Sequence, residues 1–202
     1  MHIADAVRTI AEFWEGLPLP WVGGGMAHVE MLQREFSQAF SDELLTHIRH
    51  FAPRHRFELW TIGNPIALYG LEGDRRLGFE QPGYSRHGLT GERLEGWQPA
   101  WFLLADEGAD PIVVDLSRGD AQIRQALHGA GAWNFRPVAD TIGQFVLCAA
   151  ARHHTLATWS DQLRDEASGY SLPSEAAAWL FPRMRDWSGD YYGGWCEDFA
   201  NA

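Results

Sequence analysis

Hydrophobic residues recur every three to four positions as far as Phe51, change to short aromatic and branched runs from Phe57, and return to helical spacing from Ile142. This order of periods constrains the fold more than any single motif, because a period of 3.6 puts apolar side chains on one helix stripe and a period near two puts them on one sheet face. Helices, then strands, then helices predict an α+β fold rather than a doubly wound parallel sheet. The expected architecture is a mainly antiparallel sheet of about four to six strands from residues 57–127, flanked by N-terminal and C-terminal helices.

The details follow the same rule. Ile3, Val7, Ile10, Phe13 and Trp14 predict a first helix over 2–15, stopped by Gly16-Leu-Pro-Leu-Pro. After the joint Gly23-Gly-Gly, the residues Val29, Leu32, Phe36 and Phe40 predict a second helix. Ser41, backed by Asp42 and Glu43, should cap a third that runs to Pro53. Phe57 to Ile62 and Ile66 to Leu71 read as a hairpin or meander about Gly63-Asn-Pro. Gly73 to Glu95 reads as loops with one short strand.

Trp101 to Ala105 and Ile112 to Leu116 make a second hairpin, joined by the turn Asp106-Glu-Gly-Ala-Asp-Pro111. Residues 121–127 fit helix or strand equally. From Asp140, a candidate cap, Ile142, Phe145, Val146, Ala149 and Ala150 predict a long helix. Helical stretches follow around 158–167 and 174–187, the last expected to kink or end at Pro182. The organisation read from this is a domain over 1–150, with a helical extension over 151–202 packed on it. Trp101 and Phe145 are expected in the core.

Charge narrows the function. Sixteen Arg and no Lys stand against 27 Asp plus Glu, a formal net charge of −11. Phosphate neutralisation needs clustered basic residues, so direct nucleic-acid binding is excluded as a general activity. At 46% hydrophobic and 21% charged, the chain can bury a real core. Ten Trp and eleven Phe are many for this size; most are expected in the core, and any left at the surface are candidates for partner contact. No basic-then-apolar leader and no run of about 18 apolar residues occurs, so a cytoplasmic location without membrane contact is expected.

Chemistry-bearing motifs are sparse. Cys148 and Cys196 leave a single bridge open but give no zinc spacing. His153 and His154 point about 100° apart on a helix and cannot share a ligand face. His47, His50 and Arg54 do share a face, without a matching acid. Neither Gly23-Gly-Gly nor Gly193-Gly is a phosphate loop, and no GxSxG elbow is present. Asp106, Glu107 and Asp110 lack the rest of a calcium loop. A hydrolase reading would pair His128 with Asp110 or Asp115. No cofactor or metal is expected.

The second hairpin, Trp101-Phe-Leu-Leu-Ala-Asp-Glu-Gly-Ala-Asp-Pro-Ile-Val-Val-Asp-Leu, resembles the central hairpin of the SUKH superfamily, the Smi/Knr-type domain. His128-Gly-Ala-Gly-Ala-Trp133 and Ala139-Asp-Thr-Ile-Gly-Gln-Phe145-Val are similar to that family's next segment. Asn64-Pro, Tyr69-Gly and the Leu44 to Phe51 helix fit its upstream part. The resemblance covers about residues 30–150 and is closest over 97–147, with Ala105 where a Gly is usual.

It implies binding rather than catalysis. Bacterial members are largely immunity proteins that inhibit toxins, often nucleases, and fungal relatives are regulatory scaffolds. The expected partner is therefore a basic toxin domain, with a regulatory scaffold role as the alternative. The candidate partner-binding residues are Asp106, Glu107 and Asp110 on the hairpin turn, expected to project into solvent, with Glu72 and Asp74 in the preceding loop. A second candidate surface is the acidic segment Asp186 to Asp198, where Trp187, Tyr191, Tyr192 and Trp195 supply aromatic anchors.

Overall fold

The computed structural model describes the chain apart from residues 15–18, 74–75, 79–82, 120 and 168. The Gly16 to Pro18 stop signal and Asp74 therefore lie outside the described residues. The fold is α+β: six strands form one antiparallel sheet, with helices before and after it in sequence. Helices α1 (Ile3–Phe13), α2 (Gly25–Glu35) and α3 (Asp42–Thr46) lead in, the last continuing as a π-helical turn, His47–Phe51. The strands are β1 (Phe57–Leu59), β2 (Ile66–Leu68), β3 (Trp101–Glu107), β4 (Asp110–Asp115), β5 (Ile123–Gln125) and β6 (Arg136–Ala139), and their order in the sheet is their order in the chain. Then come α4 (Ile142–Trp159), the hairpin β7 (Arg164–Glu166) and β8 (Gly169–Ser171), α5 (Ser174–Ser188) and the short α6 (Tyr192–Cys196). Among the described residues no helix is long and apolar enough to cross a membrane.

Register decides which face each strand residue joins. Phe57 pairs with Leu68 and Leu59 with Ile66, and the Phe57 ring meets Trp14 at the end of α1, so these residues face the helices. Glu58, Ala67 and Asp106 occupy paired positions one residue out of phase, so they face the other way. Helix α4 touches both outer strands, β1 and β6, and packs between α1 and α5. Its start is built from distant parts of the chain. Thr141 Oγ1 accepts from the Gln144 N–H at 3.0 Å, while the Glu43 carboxylate accepts from the Ile142 and Gly143 N–H groups at 3.2 and 3.0 Å. Glycine is required at 143 because a Cβ there would lie 2.6 Å from the His2 carbonyl carbon.

Several local expectations are corrected. The second helix ends at Glu35, where Phe36 turns extended, instead of continuing to Phe40. The cap of α4 is Thr141 and not Asp140, whose carboxylate is taken by the Tyr191 hydroxyl at 2.6 Å. Residues 121–127, open in the sequence, contain β5. The sheet also gains β6, just beyond the expected range. Within Gly73 to Glu95, the described residues form isolated bridges at Arg76 and between Arg86 and Arg93 rather than a strand.

The stretch 158–167 is only partly helical. Helix α4 stops at Trp159, and β7 pairs with β8, whose Tyr170 exchanges backbone hydrogen bonds with Asp198 and Ala200. Tertiary pairing thus overrides local propensity. Pro182 lies inside α5, which runs on to Ser188. Pro182 and Ala178, whose carbonyl loses its intrahelical donor, are both exposed, so water can satisfy that carbonyl. Residue 150 falls within the continuous α4, so the segment after it begins on a helix already packed in the core. Phe145 is buried as expected, whereas Trp101 is half-buried.

Two buried imidazoles make stability depend on pH. Burial of His47 lowers its pKa to about 4. His153 is lowered by burial and then by neighbouring His154, and its Nδ1 accepts the Trp60 N–H at 2.9 Å, which requires an unprotonated ring nitrogen. The unfolded chain binds protons at these sites from about pH 6.5 downward, whereas folded His47 does so only near about pH 4, so its contribution is complete above about pH 6.5 and is lost as pH falls toward 4. Urea titrations at about pH 7.5 and about pH 5.5 should show a loss on the order of 1 kcal/mol from His47 alone. The variant His47→Leu should flatten that slope; an unchanged slope would show that other groups carry it.

Candidate functional site

The β3–β4 turn is shorter than the sequence implies. Strand pairing continues to Glu107 opposite Asp110, so only Gly108 and Ala109 form the turn, with φ of 57° and 79°. Two positive φ values match the right-handed twist of a hairpin. Gly108 is additionally pressed against Asn64, whose side-chain nitrogen would lie 2.2 Å from a Cβ.

Because Asp106 is thereby a strand residue, it and Glu107 point to opposite faces. Asp106 is buried at 1% exposure, which corrects its expected projection into solvent. Its Oδ2 accepts from the Tyr69 hydroxyl at 2.7 Å and the Tyr84 hydroxyl at 3.4 Å, and its Oδ1 faces Arg56 at 3.4 Å. Burial, and then the Asp106 carboxylate, hold the Tyr69 phenol far above its usual pKa, so it remains a donor. The acid is an internal anchor for the 70–100 loop.

Glu107 and Asp110 lie on the helix-facing side and remain half-buried. Glu107 accepts from the Gln125 side chain at 3.0 Å, and Asp110 from the His128 backbone N–H at 2.6 Å. Both line a cleft of about 950 Å³ between the sheet and the C-terminal segment. The far wall carries Asp190, Tyr191, Trp195, Glu197 and Asp198. The two candidate surfaces, 80 residues apart in the chain, therefore share one cavity. Five carboxylates line it against the guanidinium groups of Arg136 and Arg152, and Arg152 is already paired with Asp198 at 2.5 Å. Leu127, 66% exposed, supplies an apolar lip.

The C-terminal aromatics mainly hold this wall in place. The Trp195 Nε1–H donates to the Val138 carbonyl at 2.9 Å and the residue is buried, which removes it as an exposed anchor. Trp187 stacks on Phe13, and Tyr192 lies under the Arg185 guanidinium; neither lines the cleft. Tyr191 does, with its hydroxyl donating to Asp140. Glu72 is exposed beside Arg54 at 3.8 Å and is outside the cleft. The sequence reading missed Gln125, Leu127 and Arg136. For Gln125 the signal was the strand alternation of 123–125, hidden while that stretch was open between helix and strand; Leu127 and Arg136 lie outside it.

The hydrolase pairing is not assembled. Among the described residues neither Asp110 nor Asp115 hydrogen-bonds the His128 ring; Asp115 is occupied by Ser117 and Arg124. Among the described residues no group of three His, Cys, Asp or Glu side chains is placed to hold a metal ion. Cys148 and Cys196 are free and buried, with both thiols pushed up chiefly by burial. No protein-family model, curated protein or solved structure matches the chain.

The split between Asp106 and Glu107 has a measurable consequence. Asp106→Asn leaves two phenols and a guanidinium competing for a weaker acceptor and should cost about 2–4 kcal/mol. Glu107→Gln should stay within about 0.5 kcal/mol of wild type. Urea unfolding of both variants checks this; equal effects would contradict the assignment of opposite faces.

Proposed function

We propose that this chain is a protein-binding module that inhibits a basic toxin domain, inside the cell that makes it, and that the acidic cleft between the β3–β4 hairpin and the C-terminal segment is the contact surface. The observation that carries the reading is the convergence of Glu107, Asp110, Asp190, Glu197 and Asp198 on one concave surface. With five carboxylates against two guanidinium groups the cleft keeps a negative excess, and a concave surface with a net charge focuses field and speeds the approach of an oppositely charged partner. The resemblance of the hairpin and of the 128–146 tract to the SUKH superfamily supports the same reading, as does the net charge of −11.

An inhibitor of this kind covers its partner's basic groove with carboxylates. Tyr191 and Leu127 give the cleft apolar area to bury at its margin. Asp190 and Glu197 are exposed, so their charges can be removed without disturbing the fold.

The test begins with this chain as bait in cells of its source and mass spectrometry of what it retains. The retained domain is then purified and its association rate measured by surface plasmon resonance at three salt concentrations. The double variant Asp190→Asn with Glu197→Gln should associate several-fold more slowly at low salt, with the difference fading near about 0.5 M. An acidic partner, or an unchanged rate at the lowest salt, would overturn the reading.

A further inference from the structure

The opposite face of the sheet carries a second cavity of about 500 Å³ whose chemistry runs against the rest of the molecule. Trp101 pairs with Asp115, and Arg124 pairs with Val113, so these residues share the face that also carries Asp106. The walls are the rings of Trp101, Trp133 and Phe135. The rings are locked by their neighbours. Trp97 stands edge-on to Trp101 and Trp133 at 5.3 and 5.6 Å, and stacks on Tyr84 at 6.3 Å, while Tyr84 is itself held by Asp106.

Two guanidinium groups and two side-chain amides offer N–H donors to this cavity. Arg124 and Arg136 line the cavity with the side-chain amides of Gln98 and Asn134. The lining carboxylate, Asp115, is consumed by Ser117 and by Arg124 at 3.4 Å. The second Arg124 nitrogen, Nη2, donates to the Phe135 carbonyl at 2.6 Å, which fixes the guanidinium against the wall, yet its buried Nε–H has no acceptor. Arg136 is exposed and has no ion pair among the described residues. A chain of net charge −11 has thus placed an excess of positive charge beside an immobilised aromatic surface.

We infer that this cavity binds a small planar aromatic ligand carrying an anionic group. The ring would lie against Trp101, Trp133 and Phe135, and the anion would meet the Arg136 fork and the Asn134 amide. Three features support that class. A cavity of this size is typical for a small molecule, and the mixture of aromatic walls with a few convergent donors is the usual composition of such sites. Rings whose neighbours fix their orientation lose little entropy on stacking a flat ligand. Arginine offers a planar donor pair matched to a carboxylate or a phosphate. The site differs from the acidic cleft in chemistry and lies mainly against the other sheet face, and the two meet at Asn134 and Arg136, which line both.

Isothermal titration with adenosine monophosphate and with phenyl phosphate tests the inference, with adenosine and inorganic phosphate as the separated halves. Either aromatic phosphate should bind saturably, and each half at least about tenfold more weakly. The exposed position of Arg136 makes Arg136→Gln safe for folding, and it should weaken the aromatic phosphates about tenfold while leaving adenosine unchanged. Trp133→Leu should weaken adenosine and the aromatic phosphates alike, with the urea midpoint as its check on folding. Glu197→Gln, in the acidic cleft, should bind the aromatic phosphates as wild type does, which separates this site from the partner surface. Absence of saturable heat for both aromatic phosphates up to about 5 mM, or an Arg136→Gln variant that binds them normally, would overturn the inference.

Discussion

A carboxylate withdrawn from water is tolerated only where donors replace its hydration, and Asp106 meets that condition near the turn end of β3, on the sheet's loop-covered face. Its partners come from three separate places: Arg56 ahead of β1, Tyr69 just beyond β2, and Tyr84 from the long loop. The loop is also tied by backbone bonds from Leu77 to Gly70 and from Gly78 to Leu103. These bonds and the Asp106 contacts tie the described parts of a Gly-rich stretch with few apolar residues to the sheet. The aromatic cluster at its far end inherits that order, because Tyr84 carries Trp97, and Trp97 carries Trp101 and Trp133.

The opposite face is organised by a different device. Glu43 reaches the start of α4 across the fold, and Arg152 of α4 reaches Asp198 near the C-terminus. Tyr191 and Trp195 add bonds to Asp140 and Val138. The C-terminal segment is therefore bound to the edge of the sheet, and the cleft is the space left between them. Charge is distributed accordingly. The helix side exposes a concentration of carboxylates, and the loop side carries Arg124 beside rings, with Arg136 at the edge the two cavities share.

Much of this fold was legible in the sequence, and the exceptions share a cause. The switches of period near Phe57 and Ile142 located the sheet, and the two hairpins followed from turn residues. What periodicity missed was tertiary: β7 forms because Asp198 and Ala200 bond to Tyr170, and α4 is capped by Glu43, which lies 99 residues away from Ile142. The site was half legible. Glu107, Asp110 and Tyr191, partner-contact candidates in the sequence, line one cleft, whereas Asp106, grouped with them because an Asp-Glu-Gly-Ala-Asp-Pro stretch reads as a solvated turn, does not join them. A strand that continues two residues further reverses that assignment, since each step along it changes face. Trp195 misled in the same way, its indole N–H being used to dock the chain on β6.

The account depends on Asp106 holding the loop to the sheet, and native-state hydrogen exchange measured on Asp106→Asn and wild type tests that most directly. The Leu77, Gly78 and Leu94 amides, bonded to Gly70, Leu103 and Ser85, should lose protection in the variant by far more than the β4–β5 amides, with a matching loss of near-ultraviolet dichroism from the Trp97 cluster. Equal protection of those loop amides in the two proteins, with the Trp signal intact, would contradict it.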